Sequence, residues 1–151
     1  MAPEFVRPTP ALLAELAQTM RPEDQAEAWL AAHLDPLAAL IHSTGGYGPS
    51  AVVMAAGRPI AAFGVGVARP LSSTGHPWML GSTHLEAYSR DFARQSRPIV
   101  RRMHEAFPCL VNWVLAANVV HVRWIRSCGF VLEPAAPFGV EGALFHRFTM
   151  P

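Results

Sequence analysis

The spacing of apolar positions changes twice between Cys109 and Leu132, and each change marks a new element. Cys109 to Ala116 is a nearly unbroken apolar run, rich in Val, Leu and Trp and short enough for a buried strand. From Asn118, which suits a helix N-cap, apolar residues recur at helical spacing as Val119, Val122, Trp124, Ile125 and Cys128. Arg123 and Arg126 fall on the polar side. Gly129 supplies a helix stop, and Phe130 to Leu132 reads as another strand. The segment therefore predicts strand, helix, strand.

The first third of the chain reads as helical. Ala11 to Met20 follows Pro10, and Pro22 to His33 has proline in its first turn with Glu23 and Asp24 near the positive end of its dipole. A third, short helix starts at Asp35-Pro36 and ends near His42, ahead of the breaker loop Gly45-Gly46-Tyr47-Gly48-Pro49. Ala51 to Ala56 and Ile60 to Val67 then flank Gly57-Arg58-Pro59 as a tight hairpin. Trp78 to Ser82 reads as a short strand. Phe138 to Phe148 holds the last strand, most clearly over Ala143 to Phe148. Helices first, an antiparallel meander next, then alternating strands and helices predict an α+β architecture. Proline is spread throughout and no internal repeat is present, so residues 1–151 are expected to form a single domain.

Composition narrows the function classes. The chain is 51% apolar and 15% charged, enough to bury a continuous core. No apolar run approaches the roughly 20 residues that span a bilayer, and the N-terminus lacks a basic region followed by an apolar core. The expectation is a soluble, unexported protein. With a net charge of +1, no global field draws it to nucleic acid or an anionic membrane. Cys109 and Cys128 lack Cys or His partners at metal-ligand spacing, so both read as buried, reduced thiols and no metal is expected. All 12 basic residues are arginine, and Arg90, Arg94, Arg97, Arg101 and Arg102 share one short segment.

Asn118, Trp124, Gly129 and Phe130 stand at the spacing found in the C-terminal half of the GNAT superfamily of acetyl-CoA-dependent N-acetyltransferases, which this segment resembles. An ordinary amphipathic helix with a glycine stop gives the same pattern. The element order extends the resemblance over nearly the whole chain, although its motif is specific only in the last third. The resemblance implies a GNAT-like α+β fold with a mixed central sheet flanked by helices. It further implies that the fourth and fifth strands splay to admit acetyl-CoA, with an amine as acceptor. Two positions depart: His121 stands where a small residue is usual, and Ile125 where many members carry a tyrosine general acid. The superfamily's pyrophosphate signature (Arg or Gln, two residues, Gly, one residue, then Gly or Ala) is missing. Thr83-His84-Leu85-Glu86-Ala87-Tyr88 follows Ser82, with no glycine to let a loop approach a phosphate closely.

The resemblance implies that Leu80 and Ser82 lie at the thioester end of the cleft and that Asn118 and Trp124 line its wall. A substitute phosphate site is expected at Ser96-Arg97-Pro98. Ser96 is read as an N-cap and Pro98 as a first-turn residue of a helix through Ile99, Val100, Met103 and Phe107, with Arg94, Arg97 and Arg101 around its positive end. The same arginines also read as a solvated basic face or as a contact for a protein partner. Acyl transfer needs a base for the amine proton and an acid for the leaving thiolate. His84 and Glu86, just past the fourth strand, are the candidates. His121 is a further one, equally readable as a packed residue. Tyr47 and Tyr88 are the only tyrosines, and neither holds the acid position. The loops Ser43 to Pro49 and Arg69 to Pro77 would set the amine.

A closer resemblance rests on Gly57-Arg58-Pro59-Ile60-Ala61, Trp78-Met79-Leu80-Gly81-Ser82, Phe92 through Arg97, Leu110-Val111-Asn112 and Asn118 to Phe130. Together these phrases resemble a phage family of GNAT-like proteins that includes an internal virion protein of short-tailed bacteriophages involved in head morphogenesis. It implies a second reading, a non-enzymatic protein that keeps the fold and contacts virion or assembly proteins. Its place would be the host cytoplasm or the virion. A homo-oligomer is compatible with both readings.

Overall fold

The computed structural model describes residues 3–151. In chain order the elements are β1 (Glu4–Val6), α1 (Pro10–Gln18), α2 (Pro22–Ala32), α3 (Pro36–Thr44), β2 (Ser50–Ala55), β3 (Arg58–Gly66) and β4 (Thr74–Gly81). A 3-10 turn (Leu85–Tyr88) leads into α4 (Ser89–Ala106), followed by β5 (Cys109–Leu115), α5 (Val119–Ser127), β6 (Val131–Leu132), β7 (Ala136–Phe138) and β8 (Ala143–Met150). They build one mixed sheet in the order β1-β2-β3-β4-β5-β8-β6, with β7 also on β8. Every pairing is antiparallel except β4 with β5. Among the described residues no helix is long and apolar enough to cross a membrane.

Strand alternation sorts the core onto two faces. Val52, Ala62 and Leu80 pack with Leu13, Leu16 and Leu40 of α1 and α3. Their neighbours Val53, Ala61 and Met79 point the other way, towards Phe92 of α4. Val114 and Phe148 join that second face against Val100, Val122 and Ile125. The three N-terminal helices each begin with proline, and two have side-chain caps. Thr9 accepts from the Leu12 amide at 3.2 Å and Asp35 from that of Ala38 at 2.8 Å.

Several boundaries differ from those expected, each for a physical reason. Glu4–Val6 forms a strand ahead of the first helix, where the sequence marks no element, because β2 offers it a partner. The hairpin turns at Ala56-Gly57, with φ of 51° and 77°, so Arg58 and Pro59 belong to β3. Pro59 is tolerated at the register shift between Val53 and Met54. The last apolar run is broken by Gly139 and Gly142, both at positive φ, into β7 and β8. Asn118 takes the N-cap position of α5, but its side chain makes no capping bond. The cysteines are half-buried and free, and burial pushes the Cys128 thiol up, away from thiolate.

Strand β4 begins at Thr74, within what reads as a substrate loop, and runs through Pro77. It pairs with β5 only at Thr74↔Cys109 and Gly75↔Leu110. At that junction a Cβ on Gly75 would lie 2.5 Å from Val65 Cγ2 and 3.0 Å from the Phe107 ring, so the close approach requires glycine. Beyond it the strands part. The Pro77 carbonyl accepts from Asn112 Nδ2 at 2.9 Å and therefore faces β5. A residue in a strand directs its nitrogen to the same side as its carbonyl, so Pro77 presents β5 with a nitrogen that has no hydrogen to give. His76 Nδ1 lies 2.8 Å from the Val111 carbonyl, and this side chain and Asn112 bridge the widening gap that the ladder cannot close.

Gly129 has a φ of 99° where α5 turns back to β6, and a Cβ there would meet only Met150 Cε, at an ordinary contact distance of 3.5 Å. Gly129→Val is expected to lower stability by more than about 1 kcal/mol through backbone strain alone. An unchanged melting temperature would show that the turn relaxes without glycine.

Candidate functional site

The gap between β4 and β5 opens into a cavity of about 420 Å³. Pro77–Leu80 and Asn112–Val114 form its strand walls. Ala28, Ala31 and Ala32 of α2 close it on one face, and Ile99, Val100 and Met103 of α4 on the other. The cavity thus passes through the sheet rather than lying on it. Two polar atoms of its lining residues, Trp78 Nε1 and His121 Nε2, are buried and have no partner.

Splaying frees backbone donors at the far ends of both strands, and α2 satisfies them. Asp24, fully buried, accepts from the Gly81 amide at 2.7 Å, and Glu27 accepts from the Leu115 amide at 2.8 Å. The other Asp24 oxygen accepts from Arg21 at 3.0 Å and from Asn118 Nδ2 at 2.9 Å. Such a carboxylate is tolerated in the interior because every neighbour donates to it. The sequence places Asp24 in a first helical turn, where a dipole contact explains it, and Glu27 one turn on. Their inward aim follows from how α2 crosses the strand ends.

His121 stands where α2 meets α5. Its Nδ1 lies 3.1 Å from Asn118 Nδ2, 3.5 Å from Asp24 Oδ1 and 3.7 Å from Glu27 Oε2. Burial alone pulls the imidazole pKa down. Asp24 and Glu27 outweigh burial and the opposing Arg21 charge, so the net displacement is upward from 6.5. A buried imidazole that belongs to the cavity lining, with carboxylates beside Nδ1 and no partner at Nε2, has the chemistry to move a proton there.

The residues singled out from sequence divide. Leu80, Ser96 and Trp124 line the cavity. Ser96 is not an N-cap: α4 starts about two turns earlier, and Ser96 lies in its interior with Pro98 behind it. Its hydroxyl donates to the Ala93 carbonyl at 3.0 Å and accepts from Trp124 Nε1 at 2.9 Å, which fixes the indole in the cavity wall. Arg97 is exposed on the same helix, so the expected anion site at Ser96-Arg97 has no free helix end. Asn118 and Ser82 are buried outside the lining, Asn118 serving Asp24 and Ser82 bonded back to the Ile60 carbonyl at 2.8 Å. His84 and Glu86 do not line the cavity. His84 faces Arg58 Nη1 at 3.3 Å, and Glu86 is exposed.

The turn after β4 has spent its donors. The amides of Gly81, Ser82 and Thr83 go to Asp24, Ile60 and Thr19, and those of His84 and Leu85 go to the Ser82 hydroxyl and carbonyl. No cradle of free N–H groups remains over that stretch, in keeping with its lack of glycine.

Solved structures share this architecture. Spermidine N-acetyltransferase from Vibrio cholerae, in complex with CoA and spermine, superposes at a TM-score of 0.66 and 16% identity, over 99% of this chain and 95% of that one. Ribosomal-protein-alanine N-acetyltransferase from Brucella melitensis gives 0.67 at 15%, over 97% and 98%. A Bacillus subtilis acetyltransferase in complex with CoA gives 0.62 at 11%, over 99% and 97%. The chain has the GNAT acetyltransferase fold, an α+β mixed sheet with splayed central strands, as its C-terminal motif implies. No protein-family profile matches it, and no curated protein matches it by sequence.

Because the folded pKa of His121 is raised, folding binds its proton more tightly. That contribution to stability is fully present below the unfolded value of about 6.5 and is lost as pH rises through the folded value. Urea denaturation should therefore show the stability gap between wild type and His121→Gln to be widest below pH 6.5 and to shrink above it. A gap that widens with pH would reverse the assigned electrostatics.

Proposed function

We propose that this protein is an acyltransferase that takes an acyl-CoA thioester and an amine into the gap between β4 and β5, with His121 as the residue that carries the proton. The observation that carries this reading is the buried, unpartnered His121 Nε2 in the cavity wall, backed at Nδ1 by Asp24 and Glu27. Fold neighbours solved with CoA support the choice of thioester.

In this mechanism the amine nitrogen attacks the thioester carbonyl carbon, and the carbon–sulfur bond breaks. The His121 imidazolium gives its Nε2 proton to the departing sulfur while Nδ1–H stays against the carboxylates. The newly acylated nitrogen returns its extra proton to Nε2, so the residue ends as it began. The buried, unpartnered Trp78 indole N–H, in a residue of the same cavity lining, suits the carbonyl oxygen as it gains negative charge. His121 lies one turn before Ile125 on the same face of α5 and so stands in for the absent tyrosine acid. The catalytic assignment thereby moves from His84 and Glu86 to His121. The spent turn after β4 leaves CoA affinity to the pantetheine arm and acyl group.

With acetyl-CoA and an amine acceptor, His121→Gln is expected to lower kcat by about 100-fold or more while calorimetric acetyl-CoA affinity holds. The wild-type rate should fall with pH above the raised His121 pKa, beyond 6.5. Absence of acetyl-CoA binding to the wild type would overturn the reading.

One observation favours a second reading. Arg90, Arg94, Arg97 and Arg101 recur at helical spacing along α4, are all exposed, and make no ion pair among the described residues. Such a stripe suits carboxylates of a protein partner, in line with the resemblance to phage virion and assembly proteins. In co-purification with virion and head proteins, Arg94→Glu with Arg101→Glu should abolish recovery of a partner whose binding weakens with salt. Equal recovery by the charge-reversed protein would exclude this surface.

A further inference from the structure

We propose that the α2 face of the cavity is the acceptor chamber and selects a monoamine borne on a flat aromatic body, in preference to a polyamine. This rests on the acyl-transfer reading above and adds the class of acceptor. One wall is aromatic: Trp113 stacks on Phe138 with centroids 4.1 Å apart and planes at 12°, and Phe138 meets Phe145 edge-on at 5.3 Å. All three line the cavity. Facing them, α2 presents Ala28, Ala31 and Ala32, whose methyl groups leave a slot rather than a filled interface. A flat ring in such a slot gains both burial and offset stacking.

The wall is held in place. After Phe138 the chain docks on the end of α2, where the Val140 amide donates to the Ala31 carbonyl at 3.2 Å and Glu141 pairs with His33. A Cβ on Gly139 would stand 2.6 Å from the Leu30 carbonyl oxygen, so only glycine lets this segment approach so closely. The distance between the aromatic wall and the α2 alanines is thereby set before any ligand arrives.

Charge excludes the alternative acceptor. Among the described residues that line the cavity Glu27 is the only carboxylate, and it already accepts the Leu115 amide and faces His121. One amine can lie beside Glu27 and His121 at the gap. The further ammonium groups of a polyamine would lose water without gaining a partner.

The test compares 2-phenylethylamine with spermidine on the full chain, both as acetyl-CoA acceptors and by calorimetric titration without the thioester. The aromatic amine is expected to show kcat/KM at least about tenfold above spermidine, the scale on which an apolar pocket discriminates. Ala31→Phe should fill the slot and abolish amine binding while acetyl-CoA affinity is retained. Ala28→Leu serves the same purpose if the larger residue unfolds the protein. Equal or better use of spermidine, or unchanged amine binding in a folded slot-filled variant, overturns the proposal. Acetyl-CoA binding without aromatic-amine binding removes the chamber alone. Amine binding without acetyl-CoA binding removes acyl transfer and leaves the chamber.

Discussion

Pro77 has no amide hydrogen to offer β5, and much of what is distinctive in this molecule follows from that missing donor. The sheet is continuous at Thr74 and Gly75 and is parted a few residues later. Parting two parallel strands inside a protein strands backbone groups that must be paired elsewhere. Here His76, Asn112, Asp24 and Glu27 take them up. The opening is therefore a built feature, bridged at its narrow end by side chains of the strands and clamped at its wide end by carboxylates of α2.

That clamp couples architecture to chemistry. Asp24 and Glu27 hold strand ends, and their charges, the first buried and the second half-buried, also raise the pKa of His121. A neutral hydrogen-bonding residue in either place would satisfy a backbone amide but would remove one of the charges that oppose desolvation of the imidazole. Asn118 links the pieces by giving an amide hydrogen to Asp24 and lying against His121. Networks of this kind are costly when incomplete, and this one leaves Asn118 Oδ1 and His121 Nε2 buried without partners.

The turn after β4 and the cavity below it differ in how far their polar groups are satisfied. The turn is tied down by its own hydrogen bonds, whereas the cavity keeps two polar atoms without partners. The arginines of α4 project outward, because the helix begins at Ser89 and carries Ser96 inward.

What the sequence determined by itself is local. The strand at Cys109, the helix after Asn118, the stop at Gly129 and the three proline-led helices are written in periodicity and in φ restrictions, which depend on near neighbours only. Trp124 and Ser96 line the cavity, and their hydrogen bond to each other could not be read from the sequence. The rest needed the tertiary structure. Pro77 reads as a loop residue until β5 is known to lie on the side where its nitrogen points. Asp24 reads as a dipole contact until the end of β4 is known to lie beneath it. His121 reads as a packed residue until Asp24 and Glu27, some ninety positions earlier in the chain, are seen to converge on it. Burial, charge pairing and an unpartnered nitrogen are properties of that convergence, and no local pattern encodes which distant groups will meet.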